Sequence, residues 1–253
     1  YKEEGARYGG PFFIVPRECI SSFFSGKIHD SQTRDQPMLF IEILDIFGTF
    51  VFAISGAFRA VKYELDLLGV TVLAVSTGVG GGIIRDIMLG QNPPLAIADQ
   101  KYVITCVIAA LCAFVATKRI AQRWNMVMLA DAIGLGVFAA IGASKAAAAG
   151  MGPVGVMLMA ALTATGGGVV RDILVSEIPA ILTTDFYASA ALLGGASFLA
   201  VQAFTDNQVA QLMACTIITI VIRFLAMHFK ISLPKVKSLP ASPSQMTKAR
   251  KSK

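Results

Sequence analysis

The chain has 253 residues, of which 55% are hydrophobic and only 15% charged, and its mean hydropathy is +0.66. Soluble globular domains carry about 25% charged residues, so the composition excludes an ordinary water-soluble enzyme. Residues 67–84, 146–170 and 186–205 contain no charge at all, and each approaches or exceeds the ~20 residues that a helix needs to cross a bilayer core. The sequence is that of a polytopic helical membrane protein.

Residues 1–37 differ from the rest: they are polar and carry Pro11, Pro16 and Pro37. No basic stretch followed by a continuous apolar region of about 7–15 residues occurs there, so a cleaved signal peptide fits poorly. Seven apolar spans follow, at 38–60, 67–89, 102–117, 126–144, 153–175, 186–203 and 209–229, and links as short as 118–123 and 205–208 leave no room for a soluble domain. Residues 230–253 hold Lys230, Lys235, Lys237, Lys248, Arg250, Lys251 and Lys253 between Pro234, Pro240 and Pro243, and supply most of the net charge of +6. This segment reads as a disordered tail facing anionic membrane lipids. It lacks the aromatic interleaving of a nucleic-acid surface, so no nucleic-acid partner is expected. Cys19, Cys106, Cys112 and Cys215 show no CxxC spacing, and with only His29 and His228 beside them no zinc or haem site is expected. Neither a cofactor nor a catalytic residue is expected.

Shifting the chain by 86 residues against itself exposes a repeat. Asp45 falls on Asp131, Gly48 on Gly134, Phe52 on Phe138, Gly56 on Gly142, Thr77 on Thr163, Pro93 on Pro179 and Asp99 on Asp185. The clearest match sets Gly80-Gly81-Gly82-Ile83-Ile84-Arg85-Asp86-Ile87 on Gly166-Gly167-Gly168-Val169-Val170-Arg171-Asp172-Ile173. Between Asp45 and Asp99 there are 20 identities in 55 positions without a gap, more than a shared apolar composition supplies. The expected organisation is an extension (1–37), a first three-helix repeat (38–117), a second (118–205), a seventh helix (206–229) and the tail (230–253). Each copy has an odd number of spans, so the second enters the membrane from the opposite side and the repeat is inverted. Arg59, Lys62, Lys118, Arg119, Arg123, Arg171 and the basic tail then share one side, against Arg85, Lys101 and Lys145 and the N-terminal extension on the other. The positive-inside rule places the C-terminus in the cytoplasm and the N-terminus outside.

Three consecutive glycines inside an apolar span weaken a helix by roughly 1 kcal/mol each, and irregular backbone at membrane depth is tolerated only where protein or water satisfies it. The second and fifth spans are therefore expected to break at Gly80, Gly81 and Gly82 and at Gly166, Gly167 and Gly168, lining a polar cavity. The alternative is close helix packing, which suits Gly48, Gly56, Gly134 and Gly142. No P-loop or dinucleotide fingerprint is present around these glycines. Arg85 and Arg171, each followed by an acid (Asp86, Asp172), are costly at mid-bilayer unless paired or wetted, or else snorkel to the interface. Asp45 and Asp131 have shorter side chains and are the expected internal partners, Asp45 for Arg171 and Asp131 for Arg85, with the adjacent Asp172 and Asp86 as local competitors. Arg59 and Lys145 align and lie toward the ends of their spans. They read as gating residues that sense voltage or occlude a pore, or as interfacial anchors.

The duplicated Gly-Gly-Gly-x-x-Arg-Asp, the three-plus-three-plus-one arrangement and the length resemble the prokaryotic relatives of the trimeric intracellular cation (TRIC) channels, also catalogued as a glycine-transporter membrane family. The resemblance covers about residues 39–229 and implies a multi-pass protein of the bacterial inner membrane, a homotrimer with a potassium-conducting pore in each protomer. That pore would be shaped by the first, second, fourth and fifth spans. The lipid-binding Lys-Glu-Val signature of the animal members has no match in the second span. Inverted repeats serve transporters as well as channels, so a secondary transporter of a small amino acid such as glycine stands beside the channel, and a non-conducting scaffold behind both.

Overall fold

The computed structural model describes residues 31–120, 124–184 and 186–229, with side chains described at 39–116, 127–184 and 186–229. Residues 1–30 and the basic tail lie outside this range. The chain divides into two units between Phe40 and Ile41; the bundle and site below belong to the second, and of the first only the start of one helix is described.

Among the described residues all regular structure is helical. The order is α1 (Ser31–Lys62), α2 (Leu67–Met88), α3 (Leu95–Ala98), α4 (Gln100–Ile120), α5 (Trp124–Ala148), α6 (Pro153–Leu174), α7 (Ala180–Thr183), α8 (Ala188–Gln202) and α9 (Gln208–Phe229). Removing the two single-turn helices α3 and α7 leaves the seven apolar helices that the sequence predicts. Five are long and apolar enough to cross a membrane, and the third helix of each repeat is shorter in its apolar part, at Gln100–Ala116 and Ala188–Gln202. α1 begins at Ser31, seven residues before the apolar run, because the apolar pattern marks where the helix meets hydrocarbon and not where its hydrogen bonding starts.

Local signals set the boundaries. Asp66 caps α2 by accepting from the Gly69 amide at 2.7 Å, whereas α6 starts on Pro153, whose missing N–H is one that a helix start leaves unpaired anyway. After α2 the chain turns through Gly90 at φ +72°, and at the equivalent point after α6 it turns through Ser176 at φ +58°. Pro94 and Pro179 then open α3 and α7. The equivalence has shifted from 86 residues to 85, so Pro179 matches Pro94 and not Pro93. The extra residue lies in the first copy's loop.

The second and fifth apolar helices, α2 and α6, are unbroken α-helices through both glycine triplets, which corrects the expected break. The reason is visible in what a Cβ would meet. At Gly81 it would lie 2.2 Å from the Thr163 carbonyl oxygen, and at Gly167 it would lie 2.2 Å from the Thr77 carbonyl oxygen. The triplets let two intact helices cross at backbone contact, and the close approach compensates the weak helix propensity. Phe52 stacks on Phe138, its own counterpart 86 residues later, with centroids 5.2 Å apart and planes 12° from parallel. Reciprocal contacts of this kind place the pseudo-two-fold axis between α2 and α6 and between α1 and α5. α4 packs on α2 and α8 on α6, while α9 packs on α5 and α8 of the second repeat.

Polarity is distributed as a bilayer requires. Val115, Ile108, Leu158, Ile217 and Val221 are exposed, whereas Asp45, Asp86, Asp131, Asp172, Arg85 and Arg171 are buried. The fold is that of a multi-pass membrane protein with a charged interior.

Candidate functional site

The interior charges form two half-sites related by the pseudo-two-fold axis. In each, the motif's arginine and aspartate bond to one another: Arg85 Nε donates to Asp86 Oδ1 at 2.8 Å and Arg171 Nε to Asp172 Oδ1 at 2.9 Å. The second carboxylate oxygen accepts a backbone N–H from the start of the next short helix, Leu95 at 2.9 Å and Ala180 at 2.8 Å. The Arg-Asp pair of the motif therefore ties the end of a long helix to α3 or α7, which turns the chain back along the bundle. Neither arginine snorkels, since each is 2% exposed.

The outer carboxylate partners come from the same repeat. Arg171 Nη1 donates to Asp131 Oδ1 at 2.7 Å, and Arg85 Nη2 stands 3.8 Å from Asp45 Oδ2. The expected pairing across repeats, Arg171 with Asp45 and Arg85 with Asp131, is not formed. α1 and α5 lie on opposite sides of the axis, and each presents its aspartate to the arginine of its own copy. Tyr102 and Tyr187 complete the half-sites by donating to Asp45 and Asp131, both at 3.2 Å.

Between repeats run the hydrogen bond from Arg171 Nη1 to Ser55 Oγ at 2.8 Å and the contacts of a second pair of cations. Arg59 Nη2 lies 3.1 Å from Asp172 Oδ1, and its counterpart Lys145 lies 3.7 Å from Asp86 Oδ1. Arg59 is also held by Glu177 at 3.0 Å. Lys62 reaches the same carboxylate at 4.0 Å, and Tyr63 donates to it. That hydrogen bond to the carboxylate holds the Tyr63 phenol above its ordinary range. At the Lys145 end the positions equivalent to Lys62, Tyr63 and Glu177 are Ala148, Ala149 and Gln91, so among the described residues Lys145 pairs with one carboxylate, and its side chain is 21% exposed.

Tyr102, Tyr187, Ser55, Glu177 and Arg223 belong to this network and are missed by the sequence argument. The tyrosines are 85 residues apart, so a repeat followed without a gap passes over them. Arg223 is a charge inside the last apolar span, the same signal that marks Arg85, and its guanidinium lies 4.8 Å from the centre of the Tyr187 ring.

Comparison with known proteins agrees with this architecture. The family model described as "Glycine transporter" matches twice, over residues 42–118 and 128–203, one match per repeat. The inner membrane protein YadS of Escherichia coli, a UPF0126 protein, is 39% identical over 194 residues, which is 76% of this chain and 93% of YadS. A UPF0126 membrane protein of Deinococcus radiodurans is 38% identical over 200 residues, 78% of this chain and 92% of its own length. Among solved structures, the TRIC channel orthologue of Rhodobacter sphaeroides is 37% identical with a TM-score of 0.72, covering 76% of this chain and 98% of the orthologue. A chain from a study of conductance through TRIC cation channels is 42% identical with a TM-score of 0.72, covering 79% and 98%. Fold and half-sites thus define a helical membrane protein of the inverted-repeat class. Within that class, the chain belongs to the TRIC channel family, the same family that is catalogued as UPF0126 membrane proteins and glycine transporters.

Proposed function

We propose that the protein is a monovalent cation channel, selective for potassium, with one conducting path in each protomer of a homotrimer. The observation that carries this reading is the match to a TRIC cation channel at 42% identity over 98% of that channel's length. The path runs along α1, α2, α5 and α6 beside the two half-sites. Arg85, Asp86, Arg171, Asp172, Asp45 and Asp131 are its charged elements; Gly80, Gly81, Gly166 and Gly167 hold the two central helices at the spacing the path needs, and Gly82 and Gly168 lie beside the motif arginines. Arg59 and Lys145 are the gating residues, one near each end, each held by the opposite repeat's motif aspartate. The protein resides in the bacterial inner membrane with its N-terminus outside and its C-terminus in the cytoplasm, which the excess of basic residues on one side supports. Purified protein reconstituted in planar bilayers should conduct potassium, and cross-linking in native membranes should stop at a trimer.

A second reading, transport of a small amino acid, is favoured by the description of the matching family model. Uptake of labelled glycine into proteoliposomes without a potassium conductance would establish it in place of the channel.

A further inference from the structure

The two half-sites are not equally complete, and the difference points to a bound molecule. Arg171 Nη1 has two partners, Asp131 at 2.7 Å and Ser55 Oγ at 2.8 Å. Arg85 Nη1 is buried and has none among the described residues. The repeat explains why: the counterpart of Ser55 is Ile141, whose side chain offers no acceptor, and Asp45 stands off at 3.8 Å from Arg85 Nη2. A buried guanidinium N–H left without an acceptor is costly, and such groups commonly mark a bound water or ion.

Space for that molecule is present. A cavity of about 10 Å³ is lined by Asp45, Thr49, Gly82, Arg85, Tyr102 and Phe138 among others, close to the room that one water centre needs. In the second repeat the Tyr187 hydroxyl takes up the space beside Gly168, where a Cβ would lie 2.6 Å from it, whereas a Cβ at Gly82 would meet only Arg85 Nη2 at 3.7 Å. Arg223 lies over the Tyr187 ring, on a helix, α9, that packs on the second repeat and has no copy in the first.

The occupant must accept from Arg85 and donate to Asp45. A bare cation is opposed by Arg85 and Lys145, and a bare anion by Asp45 and Asp86. We propose that the cavity is a resident water site in which one molecule bridges Arg85 Nη1 and the Asp45 carboxylate. The first half-site is thereby hydrated and adjustable, and the second is dry and fixed by direct contacts. This holds whatever the protein transports.

The test supplies the missing partner. Ile141→Ser places a hydroxyl at the position of Ser55, and Ser55→Ile removes the hydroxyl from the other half-site. In a structure of the parent protein better than about 2 Å, an ordered water should lie within hydrogen-bond distance of Arg85 Nη1. X-ray radiolytic labelling in detergent, which oxidises side chains beside bound water, should mark Tyr102 severalfold more than Tyr187. Ile141→Ser should lower the Tyr102 signal severalfold, and Ser55→Ile should raise that of Tyr187. An empty cavity at that resolution, or equal labelling of the two tyrosines in the parent, overturns the proposal. Should Ser55→Ile fail to fold, the parent structure and Ile141→Ser decide the matter alone.

Discussion

At the scale of single residues, the two arginines of the repeated motif share a sequence context but not a set of contacts. Arg171 makes a planar set of bonds to Asp172, Asp131 and Ser55, which lysine, a point charge on a flexible stem, does not reproduce. Arg171→Lys should therefore lower the thermal midpoint and alter conductance more than Arg85→Lys, whose parent already lacks one partner. Arg171→Ala should cost about 3–5 kcal/mol, the usual loss when a buried ion pair is left with one member. A double-mutant cycle on thermal stability should give coupling between Arg171 and Asp131 and additivity between Arg171 and Asp45. Additivity in the first pair would remove Asp131 as the partner. The sequence made these charges conspicuous, because a carboxylate or guanidinium inside an apolar span needs a counter-charge. It could not assign the pairs, since either aspartate satisfies either arginine on composition. Only the position of α1 and α5 relative to the axis decides.

At the scale of helices, the glycine triplets show how one local signal admits two structures. Three glycines weaken a helix, which argues for a break, but they also remove every Cβ from one stretch of surface, which allows another backbone to approach. The second effect prevails here because both crossing helices carry the triplet at the same height, so each supplies the small surface that the other requires. Gly81→Ala and Gly167→Ala should each destabilise by about 1–3 kcal/mol, as overpacking does, because the new methyl would lie 2.2 Å from a carbonyl oxygen of the facing helix. Gly82→Ala should be tolerated, since only the end of the Arg85 side chain comes near, at 3.7 Å. Melting temperatures of the three variants in detergent check this order. If Gly81→Ala melted like the parent, the tight crossing would be wrong and a broken helix would again be the better account. The seven apolar helices were readable from charge-free runs. The short α3 and α7 were not, because four residues carry no periodicity, and their positions depend on the Asp86 and Asp172 carboxylates that accept their first N–H groups.

For the molecule as a whole, the pseudo-two-fold axis makes the two ends of the bundle counterparts, and the departures from symmetry are then informative. Among the described residues Arg59 is held by Asp172 and Glu177 at one end, while Lys145 pairs with Asp86 alone at the other. Glu177→Gln gives the first end the amide that Gln91 already gives the second, so the two ends should come to resemble one another. Because the Glu177 side chain is 28% exposed, the stability loss should stay within about 1 kcal/mol, and the effect should show instead as a changed open probability in single-channel recordings. The symmetry also fixes what topology must be. Each repeat contributes three helices, so the loop after α2 and the loop after α6 must lie on opposite faces of the membrane. In the proposed orientation Arg59, Lys62, Lys118, Arg119, Arg123, Arg171 and the basic tail are cytoplasmic, against Arg85, Lys101 and Lys145 outside. Single cysteines replacing Pro93 and Pro179, in a background lacking the native cysteines, should react oppositely with a membrane-impermeant thiol reagent in whole cells, Pro93→Cys labelled and Pro179→Cys protected until the membrane is opened. Labelling of both from outside would contradict the inversion and with it the equivalence of the half-sites. The reverse pattern would keep the inversion and turn the protein over in the membrane, placing the Arg59–Glu177 end outside.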